Sequence, residues 1–298
     1  MTHDSFVTPG RPHHLQLSDG RRFAWCEWGP PDGLPAVFCT GAAMSGTLGF
    51  GVLQLMDVGV RLIAPDRPGL GRSDAHPGKT LLSWTQDVRQ LLDHLGQQTA
   101  VGVGFSQGAP FALALAATGV TLATAVVSGQ DELAHPRVRP HVHPDVNSML
   151  NAIDADAERF EQHFAGFATA DGLWDLILGM SGPEDRAFYR QPAFDHAYRR
   201  ALQEGFSQGA SGYARDLVNA LRPWPFAVEQ ITTSVDLWYG ARDTSTVHAP
   251  DFGRTLASRL PNATLHLLEH EGGALLWTRA AEILRTLCAR AAAVPTRT

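Results

Sequence analysis

Gly104-Phe105-Ser106-Gln107-Gly108 sets a serine between two glycines, each two residues away, in the pattern G-x-S-x-G. A serine so placed suits nucleophilic chemistry when a strand runs into it and a helix runs away from it, because the tight turn between them pushes the hydroxyl out of the backbone. Both flanks fit. Ala100-Val101-Gly102-Val103-Gly104 is a short apolar run, and Phe111 to Ala117 is helix-forming. The two glycines leave room for backbone and helix to approach closely. With a helix starting at Gln107, Pro110 falls in its first turn, where no intrahelical hydrogen bond is lost.

The elements that must position this serine read as an α/β chain. Ala36–Cys39, Arg61–Ala64, Ala100–Gly104 and Thr124–Val127 are short apolar runs without clean alternation, the mark of strands buried on both faces of a parallel sheet. Arg22–Trp28 precedes them as an antiparallel entry strand. Trp84, Val88, Leu91, Leu92 and Leu95 make one stripe of an amphipathic helix. From about residue 130 to 225 the sequence is polar, aromatic and helix-like, with no clear strand. Strand patterning returns at Val235–Tyr239 and Thr264–Leu268, and a last helix carries Trp277, Ala281, Leu284 and Leu287 on one stripe. The expected organisation is a core of residues 1–130 and 230–298, with a helical cap, 131–229, inserted between the sixth and seventh strands.

Composition removes other classes. The 298 residues are 44% hydrophobic, enough for one large core, and the net charge of −6 with scattered basic residues gives no nucleic-acid surface. Lys79 is the only lysine. Cys26, Cys39 and Cys288 are odd in number and lack CxxC spacing, which excludes a disulfide framework or zinc site and fits a reducing, cytoplasmic setting. The N-terminal stretch to His14 lacks the apolar segment of a secretion signal. Phe111 to Val127, the most apolar stretch, is interrupted at Thr118, Gly119 and Thr121 and reads as helix then strand, so no membrane span is expected. Two histidines at 141 and 143 lack a third ligand nearby, so no metal is expected, and no phosphate loop calls for a nucleotide cofactor. A homodimer is left open.

Ile63-Ala64-Pro65-Asp66-Arg67-Pro68-Gly69-Leu70-Gly71-Arg72-Ser73-Asp74, upstream of the serine turn, resembles the D-R-P-G-x-G-x-S segment of capped α/β-hydrolases related to epoxide hydrolases and small esterases. The resemblance covers nearly the whole chain. It implies the α/β-hydrolase fold, a mostly parallel eight-stranded sheet with a helical cap, and gives the proline-glycine segment a shaping rather than a chemical role. It makes Ser106 the nucleophile and assigns the oxyanion donors to the backbone of Ala42 and Gln107, although Thr40 stands where the family has a histidine. Trp238-Tyr239-Gly240-Ala241-Arg242-Asp243 matches the family's strand-then-G-x-x-D pattern, so Asp243 is the implied acid and Asp131 the second choice. The catalytic histidine should follow the last strand in a G-H-x-x-L context. Here the segment is Glu271-Gly272-Gly273-Ala274-Leu275-Leu276, and Gly273 occupies the histidine's place.

Three explanations follow: an engineered loss of the base, a base supplied from elsewhere, or a function that needs no serine–histidine relay. His248, five residues past Asp243, and His270, three residues before Gly273, are the nearest substitutes; His135, His141 and His143 would have to reach down from the cap. The expected catalytic residues are Ser106, Asp243 and His248. The aromatic cap implies a largely apolar cavity over the serine and a small hydrophobic organic substrate. The expected function is hydrolysis of an ester or lactone with a nonstandard base. A lyase or cyclase acting on a natural-product intermediate, and a catalytically silent binding protein, stand as alternatives.

Overall fold

The computed structural model describes residues 8–294, so residues 1–7, half of the stretch read as lacking a secretion signal, lie outside the described residues. Eight strands form one sheet: β1 (Arg11–Gln16), β2 (Arg22–Trp28), β3 (Leu34–Cys39), β4 (Val60–Pro65), β5 (Ala100–Phe105), β6 (Thr121–Val127), β7 (Ser234–Gly240) and β8 (Ala263–Leu268). Their order across the sheet is β1-β2-β4-β3-β5-β6-β7-β8. β2 runs antiparallel to β1 and β4, and every pairing from β4 onward is parallel. β1 has no counterpart among the apolar runs of the sequence. It is an edge strand of sequence RPHHLQ in which only Leu15 is buried, so hydrophobic patterning cannot find it.

Helices cover both faces. On one side lie α2 (Leu81–His94), α3 (Ala109–Ala117) and α9 (Arg254–Arg259); on the other lie α1 (Leu55–Val58), α10 (Leu275–Thr278) and α11 (Ala280–Ala292). Strand residues divide between the two cores with period two. In β3, Ala36 and Phe38 face one core while Val37 and Cys39 face the other. The expected stripe of α2 is realised, with Trp84, Val88, Leu91 and Leu92 buried and Leu95 half-buried. The last helix differs from expectation. Arg279 leaves helical geometry at φ −120° and ψ 19°, so Trp277 belongs to the short α10 while Ile283, Leu284 and Leu287 carry the buried face of α11. No helix among the described residues is long and apolar enough to cross a membrane.

Between β6 and β7 come five helices: α4 (Pro144–Ala165), α5 (Ala170–Met180), α6 (Pro183–Tyr189), α7 (Pro192–Gly205) and α8 (Ser211–Leu221). The aromatic rings of this segment mostly pack on one another. Trp174, Phe194 and Tyr198 form one cluster with Trp277 of the core, with ring centroids 5.0–5.9 Å apart.

The segment is also tied to the core by polar contacts. The Ser45 N–H donates to Ala201 O at 3.0 Å, and the Gln208 amide donates to Gly71 O and Ser73 O. Deeper in, Asp216 of α8 takes Arg67 Nε at 2.7 Å and Lys79 Nζ at 2.6 Å, all three side chains being sealed from solvent. Burial lowers the Lys79 ammonium's affinity for its proton and Asp216 opposes that loss. The chain's one lysine is therefore a buried anchor.

Candidate active site

β5 delivers Phe105 in extended geometry, and the next residue, Ser106, turns to φ +51°, a left-handed conformation that a non-glycine residue adopts only when its surroundings hold it there. The surroundings here are tight. A Cβ on Gly104 would lie 2.8 Å from Ala112 Cβ of α3, and one on Gly108 would lie 2.0 Å from Cys39 O. Any larger residue at either place would push the turn apart. Pro110 sits in the first turn of α3.

The acid and a histidine come from the loop after β7. Asp243 follows the strand end by three residues, and its Oδ1 accepts the Ser245 N–H at 2.9 Å. The chain then returns toward the serine, where the Ala249 N–H donates to Gly129 O at 3.0 Å. Gln130, one residue further along, donates its N–H to Ser106 O at 3.0 Å, so the loops after β5, β6 and β7 are joined at one point. His248 lies between acid and serine. Its Nδ1 is 2.6 Å from Asp243 Oδ2 and its Nε2 is 3.0 Å from Ser106 Oγ. With a carboxylate at Asp243, Nδ1–H donates to it and Nε2 accepts the serine proton.

The position after β8 is different. Gly273 lines the same cavity, and a Cβ built on it would lie 3.1 Å from Asp243 Oδ1. Its φ is outside the left-handed region, so a side-chain-bearing residue meets no backbone strain there. Asp243 is thus within reach of a side chain at either position, and in this chain the imidazole is at 248.

The remaining candidates separate from the site. Asp131 is fully buried, its Oδ1 accepts the Glu132 N–H at 2.6 Å, and its Oδ2 has no partner among the described residues. Burial pushes its carboxyl up to about 6. His270 is exposed beside Arg242, His143 caps α4, and His135, His141, His143 and His270 are all absent from the cavity wall. No group of three or more His, Cys, Asp or Glu among the described residues could hold a metal. The three cysteines are unpaired, and burial pushes the Cys39 thiol up to about 12, consistent with a packing role.

Ala42 and Gln107 line the cavity beside Ser106. No acceptor among the described residues takes the Ala42 N–H, and Gln107 is in the first turn of a short 3-10 segment, where N–H groups point outward. Thr40 does not face the cavity. Its hydroxyl donates to Met44 O at 2.9 Å, while Arg67 donates to Thr40 O at 2.7 Å and Gly41 O at 2.9 Å. Arg67 of the proline-glycine segment therefore holds the loop that carries Ala42, and Asp216 holds Arg67.

The serine opens on a cavity shared by the core loops and the helical segment. Its wall is mainly aliphatic, with Met149, Leu173, Ile177, Leu217 and Val247, and three tyrosines, Tyr189, Tyr198 and Tyr213, join them. Asp185 of α6 also lines it. Sequence reading missed Asp185 and the Arg67–Asp216–Lys79 anchor. The signal available was the Gly272-Gly273 pair in an active-site loop, which implies close approach by another part of the chain.

Comparison with known proteins agrees with this architecture. The model of a family described as the alpha/beta hydrolase fold matches residues 35–280. A non-heme chloroperoxidase of Streptomyces lividans is 39% identical over 96 residues, 32% of this chain and 35% of that protein, so the match spans about a third of the relative's length. Among solved structures, a bromoperoxidase from Bacillus anthracis is similar with a TM-score of 0.67 at 21% identity, over 94% of this chain and 99% of that one. An enol-lactonase from Burkholderia xenovorans LB400 is similar with a TM-score of 0.68 at 20% identity, over 93% and 99%. An esterase from Exiguobacterium antarcticum gives 0.63 at 17% identity, over 94% and 99%.

Proposed function

The chain belongs to the α/β-hydrolase fold family, and from that premise we propose that it is a serine hydrolase of small, largely apolar esters or lactones, in which His248 replaces the missing histidine after β8. The observation that carries this reading is the continuous Ser106–His248–Asp243 contact at 3.0 and 2.6 Å. Ser106 Oγ attacks the carbonyl carbon and its proton passes to His248 Nε2. The electron pair displaced onto the carbonyl oxygen is met by the N–H groups of Ala42 and Gln107, fixed donors that need no rearrangement. Collapse of this intermediate expels the alkoxide, which takes the proton from His248. Water, deprotonated by the same imidazole, then releases the acid from Ser106. Asp243 keeps the ring oriented and offsets the positive charge it carries in each half-reaction.

The helical segment acts as the cap and sets the substrate. Its aliphatic wall favours an apolar acyl or ring portion. Tyr189, Tyr198 and Tyr213 also line the cavity and bring hydroxyl groups to it, so a substrate with further oxygen acceptors fits better than a plain hydrocarbon chain. A lyase, cyclase or receptor that used only the oxyanion donors would have no need of an imidazole held between Ser106 and Asp243, and this favours hydrolysis over those readings. The test is turnover of a neutral p-nitrophenyl ester panel with fluorophosphonate labelling. Turnover and labelling that both vanish in Ser106→Ala, with the fold retained, support the proposal; unchanged turnover in that variant refutes it.

A further inference from the structure

Asp185 is the one side chain of the helical segment that bonds the backbone at the place where Gly273 stands for a histidine. It comes from the first turn of α6 and is buried, with 5% of its surface exposed. Its Oδ2 accepts the Gly273 N–H at 2.7 Å and its Oδ1 accepts the Ala274 N–H at 3.0 Å. Gly272 is shaped to admit it: a Cβ there would lie 2.2 Å from Asp185 Oδ2. The same loop presses on the acid's own loop. Glu271 O accepts the Arg242 N–H at 2.9 Å, Gly240 is so close to Glu271 O and Gly272 O that a Cβ would meet both at 2.3 Å, and Gly273 abuts the Asp243 carboxylate. The contacts therefore run from Asp185 through Gly273 to Asp243, His248 and Ser106.

We propose that Asp185 is a positioning residue of this active site: it clamps the loop after β8 against Asp243, and its carboxylate, in the same cavity wall as His248, stabilises the imidazolium formed during the reaction. The second half rests on the hydrolase reading; the clamp does not. Burial raises the Asp185 carboxyl's affinity for its proton, the two N–H groups and His248 oppose that, and Asp243 adds to it. The groups around it are accounted for. Tyr189 is on its own helix, and Asp243 and His248 of the loop after β7 line the same cavity. Arg186, the next residue, is turned to Leu178 O and Ser181 O. Glu184 pairs with Arg242, and Glu271 pairs with Arg279. Among the described residues no Lys or Arg side chain pairs with Asp185, and its carboxylate is held by two backbone N–H groups. A carboxylate in the cavity wall also disfavours substrates with a free carboxylate.

The experiment uses the full chain with Asp185→Asn and Asp185→Ala. Amide hydrogen exchange across 271–276 should accelerate at least tenfold in Asp185→Ala, and less in Asp185→Asn, which keeps one acceptor. Unchanged exchange in both overturns the clamp whether or not the protein turns over any ester. On a neutral ester, Asp185→Asn should lose about tenfold in kcat with little change in KM, and the acid limb of its pH–rate profile should move to lower pH by roughly half a unit, because the imidazolium has lost a stabilising neighbour. Lower melting temperature with a wild-type kcat and acid limb overturns the electrostatic role. Absence of turnover in wild-type protein as well as in Ser106→Ala is a failure of the hydrolase reading, and it counts equally against this role at His248.

Discussion

The loops after β7 and β8 begin side by side, Gly240 being paired with Leu268 at the ends of two parallel strands, yet they are built for different work. The first carries Asp243 and, five residues on, folds His248 back between it and Ser106. The second presents two glycines and gives the N–H groups of Gly273 and Ala274 to Asp185. Both loops reach the same carboxylate. What the sheet fixes is the meeting point at its C-terminal edge; a base can enter that point from either loop provided the other makes room.

Removing the first loop's imidazole should have the largest effect. His248→Ala should lower kcat/KM on a neutral ester by about 10⁴-fold or more, the scale of losing a triad histidine, with the melting temperature little changed. Steady-state kinetics showing less than a tenfold loss would mean that another group is the base. Next in size, Asp243→Asn should cost on the order of 10⁴-fold, because the amide no longer holds the reactive tautomer.

The base can also be moved from one loop to the other. In the double variant His248→Ala, Gly273→His, an imidazole at 273 lies against Asp243 and should recover roughly 10²-fold of what His248→Ala loses, a typical contribution of a placed general base. The added Cβ is only 3.1 Å from Asp243 Oδ1, so the carboxylate must give slightly and recovery is partial. Gly273→His alone should gain little, since two rings compete for one carboxylate. No recovery in a folded double variant would show that the second loop is no longer equivalent.

The smallest effect concerns the neighbouring loop after β6. Asp131 is the other acid the sequence offered, and Asp131→Asn should leave kcat/KM unchanged within a few-fold. Its carboxyl is pushed up to about 6 from an ordinary 3.8, so the folded chain holds a proton there that the unfolded chain has released between those values. That contribution to stability is greatest at low pH and declines as pH rises from about 4 to about 6. Asp131→Asn should therefore raise the melting temperature at pH 8, by roughly 1–3 kcal/mol of stability, and change it little at pH 4. Denaturation at the two pH values checks both the sign and the window.

The turn at Ser106 was legible because its glycines, serine and proline fall within seven residues, Gly104 to Pro110, and each answers a local steric demand. The parallel strands were legible from apolar runs. β1 was not, because a solvent-facing edge strand carries no hydrophobic pattern, and the break at Arg279 was not, because Trp277 keeps helical spacing with residues beyond it. His248 could be named from its distance to Asp243 along the chain, but the choice between it and His270 needed the direction of the loop, which is set by the Ala249–Gly129 hydrogen bond. Asp185 lies 58 residues before Asp243 in sequence and meets the site only through tertiary packing.

Whether His248, and not a group after β8, serves Ser106 is read most directly from a crystal structure of the protein reacted with a small alkyl fluorophosphonate. The account predicts a phosphonyl group bonded to Ser106 Oγ, its oxygen directed at the N–H groups of Ala42 and Gln107, and His248 within hydrogen-bond distance of the adduct and still bonded to Asp243. Phosphonylation of a different residue, or an adduct on Ser106 with His248 turned away and another side chain in its place, would contradict it.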